Sequence, residues 1–246
     1  MLKRSFRSYI LLPIGVMALL LFSSHIWDPT PAIVPMELSG ISDMIERVIP
    51  FIIIIVVSFI LYNSYEIELG LVCGVRTERM VICKVLPIFL YTLIPSVIMV
   101  LLHKHIPYTG TQFKIRIPIF VPDNYKIYMV FSVFVTVLFF TSLMLFFRTL
   151  TRNCFLPVAL GFGAFTAFDA INYNIRSGIS DIRLSIINPF ISTYFIGNTI
   201  PNKYKIDGMT NIWTYNRLLF IFISILLLLV TYLMLRREKL HEGLGE

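Results

Sequence analysis

Six apolar runs, parted by more polar stretches of unequal length, constrain this chain more than anything else in it. They cover about residues 9–27, 48–65, 85–102, 127–147, 154–171 and 218–235. Their lengths suit helices crossing a hydrocarbon core about 30 Å thick. Inside a bilayer no water satisfies backbone N–H and C=O groups, so runs of this kind close their hydrogen bonds internally as helices. The sequence therefore predicts an all-α membrane protein: one domain over residues 1–246 with six transmembrane helices.

Composition narrows the function classes. Hydrophobic residues make up 57% of the 246, charged residues 14%, and the mean hydropathy is +0.81. A soluble domain carries roughly 25% charged residues, so no soluble enzyme domain fits beside the apolar runs. The net charge of +7 comes from Lys and Arg scattered through short loops. Membrane topology and anionic lipid headgroups account for that scatter better than nucleic acid does. Cys73, Cys83 and Cys154 form no CxxC pair, and neither a disulfide framework nor a zinc site is expected.

The first run follows Lys3, Arg4 and Arg7, the pattern of a signal peptide as much as of a first span. No small-x-small cleavage site of the A-x-A kind stands near Ser23-Ser24-His25, so an uncleaved span is expected. Asp28 to Arg47 is polar and broken by Pro29, Pro31 and Pro35. The third run contains Pro87 and Pro95, which free carbonyls and bend a helix. Residues 103–126 read as a loop, with an alternating stretch at 113–117 that suits an extended lip. His103 and His105 flank Lys104 without a nearby third ligand, so no metal site is expected.

The fifth run places Ala159, Gly163 and Ala167 on one helix face, where small residues let another helix approach, from this chain or from a second subunit. Asp169 is the one acid in that run. Two readings stand: a carboxylate snorkelling to water, or a group on a transport path. Within the long stretch 172–217, Leu184 to Ile196 is apolar, too short to cross, and contains Asn188-Pro189. It reads as an interfacial or re-entrant hairpin. Six spans put both termini on one face. Counted that way, the terminal face carries 11 Lys/Arg in 44 residues and the other face 10 in 90, so the termini are expected in the cytoplasm.

Between the second and third runs lies a polar island. Glu66 and Glu68 come early; Arg76, Arg79 and Lys84 come late. That order matches a helix dipole and predicts a short helix lying at the membrane surface, beside the plainer reading of a solvated loop with topology-setting charges. Catalytic patterns are missing from the sequence: no G-x-x-x-x-G-K-[ST], no H-E-x-x-H and no G-x-S-x-G. At i and i+2 on a helix, Glu66 and Glu68 diverge, a poor arrangement for a general acid/base pair.

The layout resembles the permease subunit of type-2 ABC exporters. The carrying residues are Glu66, Glu68 and Gly70, similar to that family's Glu-x-Glu-x-Gly opening, then Arg79 and Lys84 entering span three. Leu71 departs from the Thr that many members have there, and no Pro precedes Arg79. The resemblance implies a coupling helix over 66–84 that docks on a separate ATPase subunit through Glu66, Glu68, Gly70, Arg76, Arg79 and Lys84. It implies a second contact at Arg148 and Arg152, and an outer hairpin around Asn188-Pro189. ATP and Mg would sit on the partner ATPase, with no cofactor, metal or catalytic residue on this chain. Two permeases, identical or not, would pair in the membrane. The cargo expected is amphipathic or hydrophobic, a peptide before a lipid or drug, in keeping with the 21 Phe residues. The other readings are a non-transporting immunity or sensor protein and an intramembrane enzyme.

Overall fold

The computed structural model describes residues 11–26, 36–60, 77–102, 125–151, 155–176, 186–190 and 206–242. Within them the backbone forms six α-helices and no strand: α1 Leu11–Ile26, α2 Met36–Ile60, α3 Thr77–Leu102, α4 Tyr125–Thr151, α5 Phe155–Arg176 and α6 Ile206–Glu242. Three of them are long and apolar enough to cross a membrane, over Val81–Leu101, Met129–Thr151 and Trp213–Leu235. The chain is a membrane protein on that count. The apolar stretches Arg47–Phe59 and Phe155–Ile171 are shorter. The expected six spans are thus three clear ones, two short ones and α1, which is 16 residues long.

Several helices outrun the apolar runs that predicted them. α2 begins at Met36, well before Val48, so part of the expected polar loop is helical. α3 begins at Thr77, so Arg79 and Lys84 belong to the same continuous helix as the third span. That helix also runs unbroken through Pro87 and Pro95. α5 reaches Arg176, past Asn172 and Asn174. α6, at 37 residues, is about 55 Å long and overshoots the bilayer core.

The helices pack around α4. It touches α2, α3, α5 and α6, while α1 rests on α2 and α3. Burial follows that order: 67% of the α4 window is buried, 39% of the α3 window and 17% of the α6 window. α4 is therefore the hub, and α6 presents most of its apolar surface outward. Contacts fix the helix directions. The Lys126 Nζ, at the start of α4, donates to the Leu101 carbonyl at the end of α3, 2.9 Å away. Phe59 near the end of α2 meets Phe155 at the start of α5 edge-on. Trp213 Nε1 donates to Ser132 Oγ at 3.3 Å, and further along Phe220 meets Phe139, so α4 and α6 run parallel. One end of the bundle, the near end, thus gathers the starts of α4 and α6 and the finish of α3. The far end gathers the starts of α3 and α5 and the finishes of α2, α4 and α6.

Candidate functional site

The most elaborate side-chain arrangement lies near the near end, where residues 186–190 meet α6. Asn216 Nδ2 donates to the Asn188 carbonyl at 2.7 Å and to the Ile186 carbonyl at 2.9 Å. The next residue, Arg217, is 1% exposed, and its Nη2 donates to the Pro189 carbonyl at 2.9 Å. Asn188 closes its own turn, its Oδ1 accepting from the Phe190 N–H at 2.9 Å. A segment with no regular ladder has carbonyls to satisfy, and two adjacent side chains of α6 satisfy three of them. Phe190 is driven inward by the same turn. Its ring stacks on Phe140 at 5.9 Å and meets Phe165 and Phe168 edge-on. Phe168 and Phe139 both reach Phe220 as well, joining α4, α5 and α6 in one aromatic cluster.

Arg217 is the functional-looking residue that sequence reasoning passed over. The apolar run begins at Leu218, so by sequence Asn216 and Arg217 belong to the loop before it. One signal was present: an Asn-Arg pair abutting an apolar run, beyond a segment too short to cross. Polar groups at the end of a span pair inward when an irregular segment must be held in the bundle.

The predicted site residues fall at three places or outside the described residues. Glu66, Glu68, Gly70, Arg76 and Arg152 lie outside the described residues, as do His103, His105 and the stretch 113–117. Arg79 is exposed in the first turn of α3, Lys84 is buried at 9% exposure less than two turns on, and Arg148 is half-buried in the last turn of α4. Because α3 and α4 are antiparallel, all three gather at the far end.

Asp169 lies towards the near end of α5, and its Oδ1 stands 3.6 Å from Arg47 Nη2 of α2. Both side chains keep more than a third of their surface exposed. Asp169 thus has a basic partner on the neighbouring helix, and both of its sequence readings stand.

Ala159, Gly163 and Ala167 are all exposed on one face of α5, and a Cβ built on Gly163 would meet nothing within 4 Å. Among the described residues no element covers this face. The close approach on α5 is instead at Gly161. A Cβ there would stand 2.6 Å from Met144 Sδ and 3.0 Å from Ile54 Cγ2, so α2 and α4 pack against bare backbone.

No protein-family model, curated protein or solved structure matches the chain.

Proposed function

We propose that this chain is the permease subunit of an ATP-driven exporter of the type-2 ABC kind. It would span the plasma membrane six times with both termini in the cytoplasm and carry an amphipathic or hydrophobic cargo, a peptide before a lipid or drug. The observation that supports the reading best is the meeting of two basic stretches at the far end. The start of α3 brings Arg79 and Lys84 there, and the finish of α4 brings Arg148. A soluble ATPase needs such a paired footing at one membrane face to convert its closure into helix movement. The inward seating of Phe190 at the other end is consistent with an outer hairpin plugged into the bundle. The charge count also improves for this orientation once Arg217, buried within the bundle, is removed from the outer loops.

In this reading the chain performs no chemistry. ATP and Mg belong to the partner, and a second permease packs on the uncovered Ala159–Gly163–Ala167 face. Purification of the tagged chain from its native membrane in mild detergent, with mass spectrometry of what accompanies it, tests the proposal. A stoichiometric P-loop ATPase supports it. A chain that purifies alone and stable shifts the reading to an immunity or sensor protein.

A further inference from the structure

A groove of about 380 Å³ runs between α3, α4 and α6 in the half of the bundle nearer the far end. Ile82, Leu86 and Phe89 form one wall, Leu138 and Leu145 the floor, and Leu228 with Tyr232 the other wall. Its few hydroxyls scarcely alter its character. Ser142 and Thr231 turn theirs onto the carbonyls of Leu138 and Leu227, at 2.7 Å each. Thr141 is 4% exposed. Ile82 and Leu86 remain 60% and 37% exposed and Leu228 37%, so the groove opens sideways. Its length follows from the helix rise. Residues 81–89 of α3 cover about 12 Å, close to the depth of one leaflet.

Charge decides what suits it. Arg79 stands three residues before Ile82 and seven before Leu86, so it shares their helix face, one turn nearer the membrane surface. Arg148 follows Leu145 on α4 in the same way. Over residues 77–84, 145–151 and 235–241, six basic residues stand against two acidic ones, Glu78 and Glu238. An apolar slot one leaflet deep, capped by cations at the headgroup level, is complementary to an anionic amphiphile.

We propose that this groove is a binding site for an anionic phospholipid of the leaflet at the far end. One acyl chain lies between α3, α4 and α6, and the phosphate is drawn to Arg79. The site does not depend on the exporter reading, since it needs no ATPase.

The experiment uses the full-length protein, stripped of lipid in detergent and re-loaded with dioleoyl-phosphatidylglycerol or dioleoyl-phosphatidylcholine, and counts bound lipid by native mass spectrometry. The expected result is preferential retention of phosphatidylglycerol. Arg79→Gln, at an exposed position, weakens that retention about fivefold and leaves phosphatidylcholine unchanged. Leu228→Trp, which fills the slot, lowers retention of both lipids, with circular dichroism showing that the helices persist. Equal retention of the two lipids, unmoved by either variant, overturns the proposal and leaves an ordinary lipid-facing surface. Loss of all lipid together with a Tyr232→Cys cross-link between two copies also overturns it, in favour of self-association.

Discussion

Two glycines two residues apart on α5 have opposite roles, because one faces protein and the other does not. Gly161→Ala pushes a methyl into Met144 and the stiff, β-branched Ile54, and overpacking of this kind costs about 1–3 kcal/mol. Gly163→Ala has open space and leaves the stability of the single chain unchanged. Thermal unfolding of both variants in detergent checks the pair; equal melting points would show that α2 and α4 do not close on Gly161. Asn216 is a second residue whose effect is readable alone. Asn216→Leu removes two hydrogen bonds from carbonyls that have little access to water, a cost of about 1–3 kcal/mol. Residues 186–190 should then leave the bundle. A Phe190→Cys reporter in a background lacking Cys73, Cys83 and Cys154 should react with a maleimide faster in that variant than without it.

At the scale of the helix, α2 and α5 are held by apolar contact more than by charge. Phe51 meets Phe162 and Phe59 meets Phe155 edge-on, while Arg47 and Asp169 form a half-exposed pair. Ion pairs as exposed as this are worth about 0–1 kcal/mol. Asp169→Asn should therefore shift stability by less than about 1 kcal/mol in a denaturant titration. A larger loss would mean that the pair is desolvated in the membrane. If the carboxylate lies on a transport path, the same variant should abolish export while stability is unmoved, so the two measurements together separate the two sequence readings of Asp169. α6 raises a different point. Its window is the most apolar in sequence and the least buried in the bundle, at 17%. Among helices in lipid, hydrophobicity does not decide which is central. Close contact does, and α4 supplies it with small buried side chains, Ser132, Thr136 and Ser142, set among its Val and Phe residues.

For the whole molecule, the face of α5 that no described element covers and the basic far end carry the tests of assembly. Gly163→Leu should lower the yield of cross-linked pairs of this chain if a like copy packs there, and leave Gly161-dependent stability intact. Glu66→Ala with Arg79→Ala should leave the helices folded yet uncouple ATP hydrolysis from export. Normal export by that double variant would sink the coupling-helix assignment. What the sequence by itself determined was the helical membrane class and the order of the helices. Each of these follows from run length and from the need of backbone groups in a bilayer to bond within their own segment. Helix starts and finishes were legible only roughly, since α2, α3, α5 and α6 all continue into polar sequence that apolar run length does not register. The tertiary structure alone decided that Gly161 rather than Gly163 is the point of close approach, that Arg217 turns inward to hold residues 186–190, and that Asp169 meets Arg47. Those are contacts between segments far apart in the chain, and helix periodicity says which residues share a face but not which face meets a neighbour.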